Sequence, residues 1–279
     1  MLSEKLNSIA EKYKTILDNT EPFILTYPGN LEYFNVNPWG LEISTERRYS
    51  CLSAKNEQFF DLLHRLDGLS FGTVGMPMDK WVFFDCGEMP GGIFGFGLPA
   101  SKLSDKALKA YQLTDKDDTF VPIAMYIAIP CAREGYWFGH NLCTTNRVLD
   151  HQFPGLALLT KAFAIKVYQI SNMLGATQWD SAALNIHLQL ADMDMESAYT
   201  PAHSFKNTMT YASCYTDEGL INALSGETRV ADSWDFVYPS DDVEFSKKIQ
   251  EKIENGRRYK LNGRPIKQNN KVVYPVKQL

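Results

Sequence analysis

The sequence predicts an α/β protein whose central sheet is mixed, mostly antiparallel and flanked by helices. Three observations lead there. Apolar residues recur at three- and four-residue steps in several segments, as one buried helix face requires. Val121–Ile129 is a short, nearly continuous apolar run, which suits a strand buried on both faces. The runs Trp81–Asp85 and Ile93–Gly97 flank a Gly/Pro-rich turn, the pattern of neighbouring antiparallel strands.

Composition narrows the class. The 279 residues are 44% hydrophobic and 13% aromatic, enough for one large domain or two small ones with a full core. No run of about 18 apolar residues occurs, so no membrane span is expected. The first residues are charged throughout and carry no apolar stretch of the secretory kind. Cys51, Cys86, Cys131, Cys143 and Cys214 are odd in number and scattered, without a C-x-x-C pair. That usage suits a reducing, cytoplasmic setting and no metal site.

The net charge of −5 conceals an asymmetry, because residues 247–279 hold ten Lys/Arg against two Glu and the remainder carries −13. An acidic body excludes general nucleic-acid binding, which needs cations to neutralise phosphates. It suits a cationic amine substrate, or simply a soluble surface.

Taken in order, residues 3–18 form a helix through Leu6, Ile9, Tyr13, Ile16 and Leu17. Pro22–Pro28 is a short strand, and residues 29–50 are loop with a short strand. Asn56 caps a second helix that stops at Gly68. The Trp81–Gly97 hairpin follows, then a Ser104-capped helix and the strand Val121–Ile129. Tyr136–Asn146 is another strand. A turn at Gln152–Ala157 opens a long helix through Leu159, Phe163, Val167 and Leu174, with Gly175 as its stop. Leu184–Leu190 alternates apolar and polar as a strand does, and Thr208–Cys214 is a further strand. Thr216 caps a helix ending at Gly226. The C-terminal segment combines a basic helix through Phe245, Ile249 and Ile253 with short segments punctuated by Asn262-Gly263 and Asn269-Asn270. The domain reading is an N-terminal extension over 1–50, a core over 51–215, and C-terminal helices with a basic arm over 216–279.

The turn resembles a known motif. Gln152-Phe153-Pro154-Gly155-Leu156-Ala157 lies between strand and helix in the pattern Q-x-x-G-x-A. This is similar to the acyl-CoA pyrophosphate loop of the GNAT N-acetyltransferase superfamily. The resemblance covers roughly Cys51 to Cys214, with Trp81–Gly97 matching the family's central hairpin and Tyr136–Arg147 its splayed fourth strand. Two features depart from it: Pro154 has no N–H, and no Asn followed by Tyr and Gly-Phe comes after Gly175.

The resemblance implies an acyl-CoA-dependent N-acyltransferase, in which an amine attacks acetyl-CoA or another acyl-CoA directly. The backbone N–H groups of Phe153, Gly155, Leu156, Ala157 and Leu158 would bind the pyrophosphate at a helix N-terminus. Thr145, Asn146 and Val148 would pair with the pantetheine arm. The candidates for the base are Asp150, His140, His187 and Asp85. Tyr199 and Tyr211 are candidates for the acid, and His203 sits in a turn where polar residues often serve function. An acyl carrier protein as donor, or a second subunit, would suit the basic arm. Two other readings stay open: a small-ligand-binding protein using Trp39, Trp81 and Trp137, and an enzyme with Cys143 or Cys214 as nucleophile.

Overall fold

The computed structural model describes residues 2–72, 75–88, 91–114, 117–146, 153–202, 207–268 and 271–279. The chain divides into two compact units, Met1–Pro130 with His140–Gln169, and Cys131–Gly139 with Ile170–Leu279. The boundaries expected at 50 and 215 do not coincide with this division. Residues 1–50 belong with the first unit and 216–279 with the second.

In the first unit the expected N-terminal helix is two, α1 (Leu2–Lys12) and α2 (Lys14–Asn19), divided at the buried Tyr13. Then come β1 (Glu21–Leu25), β2 (Arg48–Tyr49), α3 (Glu57–Phe71), α4 (Lys80–Glu88), β3 (Gly92–Pro99), α5 (Asp105–Tyr111), β4 (Phe120–Pro130), the second half of β5 (Tyr136–Thr144) and α6 (Leu156–Val167). The strands lie in the order β2-β1-β3-β4-β5. β1 runs parallel to β2, while the β1–β3 and β3–β4 ladders are antiparallel.

Side chains alternate across a strand, and helices use both faces here. Phe163 of α6 meets Phe94 and Phe96 of β3, with ring centroids 6.5 and 6.1 Å apart. Phe23, which pairs across the ladder with the intervening Gly95, meets Phe59 of α3 at 5.0 Å. The two helices therefore cover opposite faces of β3 and its neighbours.

Several sequence expectations are corrected. Trp81–Asp85 is helix rather than strand, and β3 pairs with β4 instead. Burial explains it: in a strand Trp81 and Phe83 would share one face, yet Phe83 is fully buried while Trp81 is 63% exposed. Asn56 makes no cap bond to α3 but donates from Nδ2 to Ser50 O at 2.9 Å, and α3 runs past Gly68 to Phe71. α6 ends at Val167, well short of Gly175.

The second unit contains the first half of β5, then β6 (Asn172–Gln178), α7 (Ala182–Leu190), β7 (Met193–Ser197), β8 (Thr208–Cys214), α8 (Asp217–Ser225), β9 (Phe236–Pro239), α9 (Val243–Glu254), β10 (Tyr259–Leu261), β11 (Ile266–Gln268) and β12 (Lys271–Gln278). β5 is parallel to β6 through Tyr136–Gly139 and Asn172–Gly175. The β6–β8, β7–β8, β7–β10, β10–β12, β11–β12 and β9–β12 ladders are antiparallel. Gly175 thus sits in β6 opposite Tyr211, whose ring would lie 2.5 Å from any Cβ at that position. Glycine is required there for close approach, not to stop a helix.

Leu184–Leu190 is helix α7, not strand. Ser181 caps it by accepting the Ala183 N–H at 3.1 Å, and Leu184, His187 and Leu188 form its buried face. A core of Trp179, Leu188, Met193, Met209, Tyr238, Ile249, Leu261 and Tyr274 holds this unit together. Trp179 and Tyr238 stack at 3.6 Å, and the Trp179 indole N–H donates to Ala198 O at 2.9 Å. The C-terminal segments pair into this unit's sheet, with β11 and β12 antiparallel to each other. Asn269-Asn270 lies outside the described residues.

Candidate functional site

The candidate site is the corner where β5 gives way to α6, built from residues of the first unit. At its far side Thr145 donates its N–H to Ile123 O of β4 at 2.9 Å, and its hydroxyl reaches the same carbonyl at 3.1 Å. Asn146 then forms a reciprocal pair with Phe153. Its Nδ2 donates to Phe153 O at 2.9 Å, and its Oδ1 accepts the Phe153 N–H at 3.1 Å. This clamp brings the strand end and the helix start together.

Gly155 is the N-cap of α6, at φ +81°, and it makes no side-chain cap bond. Pro154 and Gly155 are exposed, whereas Phe153, Leu156 and Leu158 are buried. Not every expected pyrophosphate donor is available. Phe153 N–H is held by Asn146, Leu156 N–H donates to Phe153 O at 3.1 Å, and Pro154 has none. The first turn of any α-helix leaves N–H groups without intrahelical acceptors, which here leaves Ala157 and Leu158 beside exposed Gly155. The Thr145 N–H, expected on the pantetheine arm, is likewise occupied by Ile123 O.

Gly155 also has a structural duty. A Cβ there would come within 2.7 Å of the buried Tyr13 ring, and positive φ is costly for a β-branched residue. Gly155→Val is therefore expected to destabilise the fold, by about 2–3 kcal/mol. Urea unfolding of the variant measures it, and an unchanged midpoint would count against this account.

Upstream, His140 is exposed on β5, and its Nδ1 lies 3.0 Å from Asn141 Oδ1. Asn141 Nδ2 donates to Asp67 Oδ1 at 2.9 Å. Asp67, on α3, is fully buried; its Oδ2 accepts the Met78 N–H at 2.7 Å, and the Cys143 thiol approaches its Oδ1 at 3.8 Å. Burial raises the Asp67 pKa, and the hydrogen bonds from Met78, Asn141 and Cys143 oppose that rise. Cys143 is fully buried, and burial together with the Asp67 charge holds its thiol well above the ordinary range. A reactive thiolate needs the opposite environment, so this cysteine is poorly placed as a nucleophile.

The other candidates are dispersed. Val148, Asp150, Gln152 and His203 lie outside the described residues. Tyr199 belongs to the second unit, where its N–H meets Gln250 Oε1 at 3.5 Å and Lys247 Nζ lies 5.7 Å from its ring. His187 and Tyr211 are buried against each other, ring centroids 5.5 Å apart. Asp85 is exposed on α4. Of the tryptophans, Trp39 packs on Phe163 at 5.0 Å, while Trp81 lines an open groove of about 980 Å³ with Leu52, Phe60 and Phe84. Asp67 and Asn141 escaped sequence reasoning. A signal existed: Leu63, Leu66, Asp67 and Ser70 follow the helical stripe, so Asp67 is a carboxylate on an apolar face.

No family model and no curated protein matches the sequence. Among solved structures the chain is similar to the NatC complex bound to Gag peptide and CoA, at 15% identity and TM-score 0.40, covering 59% of this chain and 96% of that one. It is similar to the ribosomal-protein-S18-alanine N-acetyltransferase from Escherichia coli, at 11% identity and TM-score 0.39, covering 59% and 92%. It is also similar to the diaminobutyrate acetyltransferase of Paenibacillus lautus in complex with L-2,4-diaminobutyric acid and coenzyme A, at 9% identity and TM-score 0.38, covering 58% and 91%.

Proposed function

We propose that this chain is an N-acyltransferase that moves an acetyl or other acyl group from acyl-CoA to an amine. The observation that carries the reading is the course of β5. β5 runs to Thr144, and the Asn146–Phe153 clamp holds the residues after its end against the exposed start of α6. A strand edge from His140 to Thr144 would accept the amides of a pantetheine arm, and the N–H groups at Gly155, Ala157 and Leu158 would meet the pyrophosphate. The resemblance of Gln152–Ala157 supports the same assignment.

In this reading the amine nitrogen attacks the thioester carbonyl carbon, the carbon–sulfur bond breaks, and the acyl group passes to nitrogen. The ammonium first gives up one proton to become the attacking amine, and the nitrogen gives up a second as the amide forms; sulfur leaves as a thiolate and takes one proton, and the other passes to solvent. We assign His140 as the base that receives the first of these protons, with Asp150 the other candidate. Holding the two reactants in line supplies much of the acceleration. The acidic body favours a cationic acceptor. Among the described residues no helix is long and apolar enough to cross a membrane, and we place the reaction in the cytoplasm.

Coenzyme A at millimolar concentration is expected to raise the melting temperature by several degrees. A ligand at 100 times its Kd stabilises by about 2.7 kcal/mol. A melting curve that does not move with coenzyme A or acetyl-CoA would overturn the reading.

A further inference from the structure

We infer that Asp67 and Asn141 are positioning residues that fix the tautomer of His140, so that Nε2 is its basic nitrogen. The inference rests on His140 serving as the base of the proposed acyl transfer, but its logic is local. An ionised carboxylate can only accept hydrogen bonds. The groups around Asp67 are fitted to that state: the Met78 N–H at 2.7 Å is an obligatory donor, and the Cys143 thiol at 3.8 Å is a weak one. The amide edge that Asn141 turns to Asp67 at 2.9 Å must then be its NH₂.

That choice leaves no freedom at the other edge. Asn141 presents its oxygen to His140 Nδ1 at 3.0 Å, and an oxygen acceptor requires that Nδ1 carry the proton. A neutral imidazole has one N–H, so the lone pair is on Nε2. The buried carboxylate thus sets the protonation pattern of an exposed ring through one intervening amide. The support extends one step further back, because His64 Nε2 lies 2.9 Å from Met78 O and holds the residue whose N–H anchors Asp67. Asp67 and Asn141 lie 74 positions apart in the chain, so the relay exists only once α3 packs against β5.

Asp67→Asn tests the relay because it reverses every link. The new amide must keep its oxygen on the Met78 N–H and present NH₂ to Asn141. Asn141 then turns its oxygen inward and its NH₂ toward His140, whose Nδ1 becomes the acceptor and whose proton moves to Nε2. Nitrogen-15 spectra of the imidazole report the tautomer in the protein without substrate. The expected result is an Nδ1–H pattern in the natural protein and Nε2–H in Asp67→Asn. Acyl transfer should fall by about 10²–10⁴-fold, the range of a lost general base, while the KM for acyl-CoA is retained.

An Nε2–H pattern in the natural protein would overturn the inference, and that measurement needs no variant to fold. An unchanged pattern in folded Asp67→Asn would also overturn it. In Asn141→Leu the ring should lose its tautomer preference, and a retained Nδ1–H pattern there would again overturn it. A tautomer that switches as described in a protein with no coenzyme A-dependent activity would support the relay and reject the acyltransferase reading.

Discussion

His140→Ala is expected to lower kcat by about 10²–10⁴-fold while leaving the coenzyme A-induced rise in melting temperature in place. The imidazole is exposed, so its removal opens no cavity and the fold should tolerate it. The cofactor contacts proposed at Gly155, Ala157 and Leu158 are backbone groups that the substitution leaves alone. A loss confined to kcat marks an interaction made in the transition state rather than in binding. If the variant keeps its rate and an Asp150 variant does not, the base is Asp150 and the role assigned to His140 is wrong.

The second large effect is on stability. Lys161 lies on α6, fully buried, with Nζ 5.5 Å from the Tyr126 ring centroid. Burial lowers its pKa from 10.5 to about 7. Between those values the unfolded chain binds a proton that the folded chain does not. Stability therefore rises with pH through this window, by at most about 1.4 kcal/mol per unit, and below about 7 the cost of the buried ammonium is felt in full. Lys161→Met keeps the apolar stem and removes the titration. It should be more stable than the natural protein at pH 6.5, with the difference shrinking toward pH 9. Parallel urea titrations would show it, and a difference that stays constant with pH would refute it. Taking the difference matters because the Cys143 thiol acts in the opposite sense. Its folded pKa is raised, so stability is lost as pH climbs above the unfolded thiol range.

The readable parts of the fold were those fixed by local chemistry. Ser104 and Thr216 cap their helices as expected, accepting the Ala107 N–H at 3.3 Å and the Gly219 N–H at 3.0 Å. Thr208–Cys214 is a strand, and Ile249 is buried on its helix. The misreadings share a cause, because short apolar runs do not reveal their period. Leu184–Leu190 fits period two, yet the same residues place Leu184 and Leu188 on one helical face. Trp81–Asp85 is too short to separate strand from helix without knowing that Trp81 stays in solvent. Gly175 reads as a stop because glycine usually is one, and only the Tyr211 ring beside it supplies the other reason.

The candidate site divides the same way. The turn at Gly155 and its place before a helix were visible in residue types. The assignment of individual donors was not, since whether Phe153 and Leu156 offer their N–H groups depends on Asn146 and on the turn's own carbonyls. Asp67 was hidden by distance along the chain.

The Asn146–Phe153 clamp has a bearing on how this corner can change over generations. Two hydrogen bonds tie the ends of a six-residue span, 147–152, so the start of α6 is set outside the span rather than by it. Closing a longer loop between fixed ends is cheap, about 0.6 kcal/mol for each doubling of its length. The strand–helix junction should therefore hold its shape when the number of residues between its clamped ends changes.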